Sequence, residues 1–264
     1  MIDPWLGIAL VLATLGALLA ILSRTSARHP ELARKSVHVG MGLAALTFPW
    51  LFAEPWPVLL LAGATIPAFV ALRLAGPRRF AIGRTLHAVE RQSLGEIHYA
   101  LGTCAVFVLA AGDALLFCIP MLVLAFADAA AALVGTRIGR RALVGDKTLE
   151  GSAAFCAFAW CCTAAALSLV VPAPPAELVA TAAFVAVVAT AMEAIGPRGL
   201  DNLLVPLGTC AALHGSGVAE LAAAGSGGAG AAIALVSVIA LVALAALAAA
   251  LQPVRAAVPG GEAP

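Results

Sequence analysis

The amino-acid sequence predicts an all-α integral membrane protein, a polytopic helical bundle with about nine transmembrane spans. Composition is the first observation: 62% of the 264 residues are hydrophobic and 11% are charged, and mean hydropathy is +1.04. A soluble domain is nearer half apolar and a quarter charged, so these charges are too few for a water-facing surface. The second observation is a series of apolar segments of spanning length, and the third is the one-sided placement of the basic residues.

The apolar segments define the predicted spans, because a helix needs roughly 17 to 25 apolar residues to cross a bilayer. In chain order the predicted spans are 5–22, 36–53, 57–72, 95–111, 115–135, 151–171, 178–195, 200–214 and 229–251. No basic residue precedes the first apolar run, which predicts a first span rather than a cleaved signal peptide. The spans 95–111 and 200–214 are short and contain polar residues. The segment 200–214 is also compatible with a re-entrant segment.

The basic residues all fall on one side of this arrangement. The 15 Lys and Arg residues lie in 24–35, 73–94, 136–150, 196–199 and the C-terminal tail. The opposite side carries acidic residues, namely Asp3, Glu54, Asp113, Glu177 and Glu220. Because basic loops face the cytoplasm, we expect the N-terminus outside and the C-terminus inside.

We therefore expect one membrane domain over 1–264 that passes several times through a bacterial cytoplasmic membrane. Thirteen arginines against two lysines, with many alanines and glycines, are typical of a GC-rich bacterial genome.

The polar stretch 77–94 places Ile82, Leu86 and Val89 on one helical face, which predicts an amphipathic helix on the cytoplasmic interface. The net charge of +1 leaves no basic footprint for nucleic acid.

Asp128 is an ionisable residue inside a predicted span, a position that costs roughly 2.5 to 3.5 kcal/mol on insertion scales. Gly135 and Gly139 follow it on the same helical face, and small residues there let another backbone or a ligand approach closely. Two interpretations stay open. Asp128 either pairs structurally with a neighbouring helix or belongs to a metal or phosphate site.

The segment after this span, GTRIGRRALVGDKTLEGSAAF, combines glycines with a lysine at the start of the next helix. Lys147, Thr148, Gly151 and Ser152 stand where the chain re-enters the membrane, and backbone N–H groups at a helix start can bind phosphate. The spacing differs from a Walker A loop and no buried strand precedes it, which excludes a P-loop fold. The segment is a candidate phosphate site or an ordinary basic cytoplasmic loop.

Other polar residues approach the membrane from the same side. They are Arg34 and Lys35 just before the second span, His38 within it, Glu96 and His98 in the fourth, and Glu193, Asp201 and Asn202 beside a Gly-Pro break after the seventh. We expect Asp128, Glu150, Glu193 and Asp201 to converge with Lys147. Several carboxylates and a cation at one membrane face suit Mg²⁺ that bridges the phosphates of a nucleotide.

Five motifs occur in order along the chain. They are RKxxH at 34–38, SxGEIxY at 93–99, DxxAxxxGxxxG at 128–139, DKTLEGSxAF at 146–155 and E…GxDN at 193–202. Together they resemble the phytol kinase, dolichol kinase and CTP-dependent diacylglycerol kinase family. The resemblance covers about residues 34–213, and 128–155 is its most specific part.

The resemblance implies a membrane kinase that transfers the γ-phosphoryl group of CTP, or another nucleoside triphosphate, to an isoprenoid alcohol or diacylglycerol. On this hypothesis the nucleotide-binding residues are Lys147, Thr148, Gly151, Ser152, Gly135, Gly139, Arg34 and Lys35. The Mg²⁺ ligands are Asp128, Glu150, Asp201 and Glu193. Asp128 or His38 takes the hydroxyl proton, with Lys147 also catalytic, and Asn202, Glu96 and His98 are further candidates.

Two other functions stay open. A membrane CTP:lipid-phosphate cytidylyltransferase would use the same triphosphate, metal and lipid, but the lipid phosphate would attack the α-phosphorus. A secondary transporter also has broken helices and intramembrane carboxylates, although here the polar residues cluster at one face and no inverted repeat is evident. The sequence does not indicate the oligomeric state.

Overall fold

The computed structural model describes residues 2–25, 30–75, 94–217, 233–240, 242 and 245. The helices in chain order are α1 (Pro4–Thr25), α2 (Pro30–Ala45), α3 (Phe48–Leu51), α4 (Trp56–Ala75), α5 (Gly95–Leu109), α6 (Ala114–Leu122), α7 (Asp128–Ile138), α8 (Leu149–Val170), α9 (Pro175–Ile195) and α10 (Asp201–Gly215). A further helical segment covers 233–240. The described residues form no β-strand, and one isolated bridge pairs Ala142 with Thr148. The all-α fold class is therefore confirmed.

Helices occupy the position of every predicted span, although only part of 229–251 is described. Three helical segments are long and apolar enough to cross a bilayer: Ala114–Ile138, Leu149–Val170 and Pro175–Ile195. Shorter apolar helices cover Pro4–Leu18, Trp56–Ala71 and Gly95–Leu109. The number of spans and their orientation stay predictions. The predicted interfacial helix over 77–94 lies almost wholly outside the described residues.

Large apolar side chains cover the outer surface of the bundle. Trp5 is 63% exposed, Val187 61% and Phe184 52%, a surface that suits lipid tails better than water. Some threonine hydroxyls in the helices are satisfied locally, since Thr65 donates to the Leu61 carbonyl and Thr190 to the Ala186 carbonyl. Internal satisfaction of polar groups is what a hydrocarbon environment requires.

A central helix organises the bundle. It consists of α6, a π-helical turn (Val123–Ala127) and α7, which continue one another without a break. This helix is buried over most of its length and packs against α2, α8 and α10. Asp113 starts it, because its Oδ1 accepts hydrogen bonds from the amides of Leu115 (2.8 Å) and Leu116 (3.1 Å). Asp128 therefore lies in the middle of a helix whose sides are covered by protein.

Candidate active site

Two lysines and three carboxylates meet at one end of the bundle, and we call them the lysine–carboxylate cluster. Its members are Lys35, Asp128, Lys147, Glu193 and Asp201. They come from α2, α7, α9, α10 and the loop before α8, so residues far apart in the chain converge. The expected convergence of Asp128, Lys147, Glu193 and Asp201 is thus seen, with Lys35 as an added partner.

Asp128 is paired with residues of α2. Lys35 Nζ lies 2.6 Å from Asp128 Oδ2, and both side chains are 13% exposed. His38 Nε2 lies 3.5 Å from the same oxygen and 3.2 Å from the carbonyl oxygen of Leu124. Because both neighbours of Nε2 are acceptors, this nitrogen carries a hydrogen and acts as a donor. Lys35 and His38 therefore hold the Asp128 carboxylate in one orientation.

The π turn before Asp128 makes the contact with His38 possible. A π turn bonds each carbonyl to the amide five residues later rather than four, and such turns are frequent at functional sites. The Leu124 carbonyl lies inside this turn and accepts the His38 hydrogen bond. The widened turn thus links the backbone of the central helix to the side chain that faces Asp128.

Lys147 is enclosed by carboxylates of α9 and α10. Its Nζ donates to Glu193 Oε1 and, at 2.8 Å, to Asp201 Oδ2. Glu193 is 2% exposed, and its other oxygen accepts from Ser152 Oγ at 3.2 Å. Burial alone would lower the pKa of Lys147, but the charges and hydrogen bonds of Asp201 and Glu193 raise it above the ordinary lysine value. Lys147 is therefore a fixed positive charge at neutral pH.

The loop over 139–148 is folded so that Lys147 points to this end of the bundle. Leu143 donates to the Lys147 carbonyl (2.9 Å), and Lys147 donates to the Val144 carbonyl (3.0 Å). Gly145 between them has φ +59°, a conformation that glycine adopts without strain. The Glu150 carboxylate accepts from the backbone amides of Arg140 (3.1 Å) and Arg141 (3.3 Å). Glu150 thus ties the loop to the start of α8, apart from the lysine–carboxylate cluster.

The glycines of α7 and α8 allow two segments to pack closely. A Cβ added to Gly135 would lie 3.0 Å from Thr148 Oγ1, and one added to Gly151 would lie 3.0 Å from the Ala131 carbonyl oxygen. Gly139 also contacts Thr148. Thr148 caps α8 by accepting the Gly151 amide at 3.1 Å. The face of α7 that carries Gly135 and Gly139 therefore packs against the Thr148 segment of the same chain.

The junction between α9 and α10 positions Asp201. A 3₁₀ turn (Pro197–Gly199) interrupts the helices, and Arg198 has φ +53°, which confirms the predicted Gly-Pro break. Asn202 Nδ2 donates to the Gly95 carbonyl at 2.9 Å, and His98 Nδ1 lies 3.1 Å from the Gly199 carbonyl oxygen. Asn202 and His98 therefore fasten the junction to α5 rather than enter the lysine–carboxylate cluster.

Two candidates remain, Glu96 and Arg34. Glu96 is half-buried in the first turn of α5. The side chain of Arg34 is outside the described part of the chain, although its backbone belongs to α2. Tyr99 was not among the candidates, yet its ring packs edge-on against His38 at 5.3 Å. Tyr99 is the one tyrosine of the chain, and this was the available signal, since buried tyrosines usually have a polar partner.

The carboxylates of the cluster are the residues that could bind a metal ion. Within the described ranges, no three His, Cys, Asp or Glu side chains come together as a metal cage. Mg²⁺ commonly needs only one or two protein carboxylates, with water and substrate phosphates as its other ligands. Asp128 and Asp201, whose side chains are 13% and 14% exposed, fit that requirement.

Comparison with known proteins identifies the family. No family model and no solved structure matches this chain. A curated protein named phytol kinase, from Synechocystis sp., is 32% identical to it over 213 residues, which amount to 78% of this chain and 89% of the relative. The similarity therefore spans most of both chains. The chain belongs to the phytol kinase family.

Proposed function

We propose that this protein is a membrane kinase that transfers the γ-phosphoryl group of a nucleoside triphosphate, with CTP as the donor, to the hydroxyl of a membrane-dissolved isoprenoid alcohol. The lysine–carboxylate cluster is the observation that carries the proposal. Phosphoryl transfer depends mainly on positioning and on charge neutralisation. Two half-buried lysines beside three carboxylates, at one end of a bundle with a lipid-like exterior, supply groups for both.

The lysines are the proposed phosphate ligands. Lys147 and Lys35 are paired with carboxylates, and phosphate oxygens can replace those partners without leaving a buried positive charge unpaired. Helices α2, α5, α8 and α10 all begin at this end, and the partial positive charge of helix N-termini favours anions. Thr148, Gly151 and Ser152 lie at the first turn of α8 and would line the phosphate path.

The carboxylates are the proposed ligands of Mg²⁺. Asp128 and Asp201 would hold the ion, with Glu193 near them, and Glu150 would act indirectly through the loop that it fastens. Bound Mg²⁺ supplies charge neutralisation on the β- and γ-phosphates. In the transfer step, the alcohol oxygen bonds to the γ-phosphorus, the bond to the β–γ bridging oxygen breaks, and the nucleoside diphosphate leaves. Asp128 takes the hydroxyl proton, because His38 Nε2 is already a donor.

A direct transfer assay tests the proposal. Purified protein in nanodiscs would receive Mg²⁺, γ-labelled CTP or ATP, and phytol, farnesol, a polyprenol or diacylglycerol. We expect label in a lipid monophosphate with release of CDP. Lys147→Gln and Asp128→Asn should lower turnover by about 100-fold or more. Arg141→Gln, an exposed cation of the same loop, should not.

The products also discriminate the alternatives. Formation of a CDP-lipid with release of pyrophosphate from a lipid phosphate would assign cytidylyl transfer instead. If no donor labels any acceptor lipid, although a thermal denaturation curve shows that the protein is folded, the proposed kinase activity is refuted.

A further inference from the structure

Glu193 is the most deeply buried charge of the lysine–carboxylate cluster. Its side chain is 3% exposed, whereas those of Asp201 and Lys147 are 14% and 26% exposed. Each of its two oxygens already has a donor, because Oε1 accepts from Lys147 Nζ and Oε2 accepts from Ser152 Oγ. Mg²⁺ usually keeps several water ligands, for which so enclosed a carboxylate leaves little room. Glu193 is therefore better suited to remain the partner of Lys147 than to bind a metal ion.

The hydrogen of the Ser152 hydroxyl is committed to Glu193. Ser152 is 5% exposed and lies in the first turn of α8, where its amide donates to the Thr148 carbonyl at 2.9 Å. A serine hydroxyl has one hydrogen to donate, and Ser152 Oγ donates it to Glu193 Oε2 at 3.2 Å. The backbone of Ser152 lines the proposed phosphate path, while its side chain orients the carboxylate that faces Lys147.

The two carboxylate partners of Lys147 differ in how readily they can exchange. Asp201 is the more exposed, and its Oδ1 accepts the Asn202 amide at 3.1 Å, so it keeps a donor when Lys147 turns to another partner. Glu193 would instead be left as a buried carboxylate without its counter-ion. A lysine ammonium has three hydrogens, so Lys147 can keep Glu193 and still donate to phosphate oxygens.

We propose that Ser152 and Glu193 are positioning residues of the phosphoryl transfer. The Ser152 hydroxyl orients the Glu193 carboxylate, and Glu193 in turn holds the Lys147 ammonium in place while phosphate oxygens replace Asp201. This inference rests on the proposed kinase function. It assigns Glu193 to the lysine and not to Mg²⁺, and it assigns the Ser152 hydroxyl to Glu193 and not to the nucleotide.

The lysine content of the chain allows a test that does not depend on catalysis. Lys35 and Lys147 are its two lysines, so protein labelled with ¹³Cε-lysine gives two lysine signals by NMR, which Lys147→Arg assigns. The two Hε protons of a lysine are inequivalent when its ammonium is held in one orientation. We expect inequivalent Hε protons for Lys147, with a smaller difference in Ser152→Ala and in Glu193→Gln. Ser168→Ala, at an exposed serine near the other end of α8, should leave the Lys147 signal unchanged.

Turnover tests whether Ser152 acts through Glu193. Ser152→Ala should lower kcat about tenfold with KM for the alcohol unchanged, and Ser152→Thr, which keeps a hydroxyl, should recover most of the loss. In a Glu193→Gln background, Ser152→Ala should cause no further loss, because residues that act through one contact are not additive. An undiminished additional loss in that background would make the hydroxyl a direct phosphate ligand and overturn its assigned role.

The metal requirement distinguishes Glu193 from Asp201. Asp201→Asn should raise the Mg²⁺ concentration that gives half-maximal rate, whereas Glu193→Gln should lower kcat and leave that concentration unchanged. Glu193→Asp keeps the charge but withdraws it from Lys147 and Ser152, so it should behave like Glu193→Gln. An equal rise in the required Mg²⁺ concentration for the Asp201 and Glu193 variants would make Glu193 a metal ligand and refute the inference.

The outcomes also separate this inference from the kinase itself. If Ser152→Ala and Glu193→Gln leave the Lys147 signal unchanged in protein that phosphorylates an alcohol, the positioning role is overturned and the kinase stands. A lower Tm in Ser152→Ala, with the Lys147 signal and kcat unchanged, would make the serine merely structural. The expected change of the Lys147 signal in protein that phosphorylates no lipid would support the side-chain arrangement and refute the kinase.

Discussion

The charged side chains at the site occur in groups of opposite sign. Lys147 faces Glu193 and Asp201, and Lys35 faces Asp128. Removal of one partner of a buried pair costs about 3–5 kcal/mol, because the other charge is left uncompensated. The same pairing therefore holds two cations and three anions in place where the proposed nucleotide would bind.

A double-mutant cycle measures this coupling. Glu193→Gln and Lys147→Met should each destabilise the protein, and the double variant should be less destabilised than their sum by about 1–3 kcal/mol. The measurement is unfolding in mixed micelles. Glu177, an exposed residue at the opposite end of α9, supplies the control, because Glu177→Gln should combine additively with Lys147→Met. Additivity of the Glu193 pair would contradict the ion pair.

The raised pKa of Lys147 predicts the pH range over which it stabilises the protein. An unfolded lysine titrates near pH 10.4. Since the folded pKa is higher, stabilisation by Lys147 is complete below the unfolded value and is lost as pH rises through the folded value. The difference in apparent Tm between wild type and Lys147→Met should thus stay constant from about pH 7 to pH 10. A difference that grows between pH 7 and pH 10 would show that the lysine pKa is lowered in the folded protein rather than raised.

Sequence reasoning identified several site residues but not all of their partners. Asp128 was identifiable because a carboxylate in an apolar run is unfavourable, and Lys147 because glycines surround it. The pairing of Lys35 with Asp128 joins residues 93 positions apart, which no local pattern specifies. Glu150 was expected at the metal, whereas its carboxylate accepts two loop amides. Spacing places a residue in the first turn of a helix without showing which way it faces.

Among the elements, close backbone contacts fasten the site. Gly102 in α5 faces α10, where a Cβ would lie 2.6 Å from the Asn202 carbonyl oxygen and 3.3 Å from the Leu203 Cα. These are backbone atoms of another helix, so they cannot rotate away. The spacing between α5 and α10 therefore determines where Asp201 stands relative to Lys147.

Gly102→Ala should force α5 and α10 apart. We expect a loss of about 1–3 kcal/mol of stability, the usual effect of overpacking, and a lower kcat because Asp201 is displaced. Thermal unfolding and the transfer assay measure both effects. Gly63→Ala in α4, where no atom lies within 4 Å of the added Cβ, should be neutral or stabilising. Equal behaviour of the two variants would mean that the α5–α10 contact does not limit activity.

For the whole molecule, the sequence predicted the helical segments well and their packing poorly. Apolar length alone located helices such as Leu149–Val170 and Pro175–Ile195. Which helix is central did not follow from hydropathy, because lipid-facing and buried helices are equally apolar. Ala114–Ile138 is the most buried of the three long segments, and only its contacts with α2, α8 and α10 reveal this.

Cysteine labelling tests the predicted orientation. In a background without the six native cysteines, Glu54→Cys and Val144→Cys introduce thiols in exposed segments at opposite ends of the bundle. A membrane-impermeant maleimide should label Glu54→Cys in intact cells and Val144→Cys only after permeabilisation. The reverse pattern would invert the topology, and would put the lysine–carboxylate cluster outside the cell, away from cytoplasmic nucleotides.

The π turn of the central helix also acts as a rotation. An α-helix advances about 100° per residue, and a turn closed five residues apart holds one residue more than its neighbours. Compared with an uninterrupted α-helix that continued from α6, Asp128 and the glycines after it are therefore rotated by about 100° about the helix axis. One extra residue in a buried helix thus lets its first half match the apolar core while its second half presents a carboxylate to His38 and Lys35.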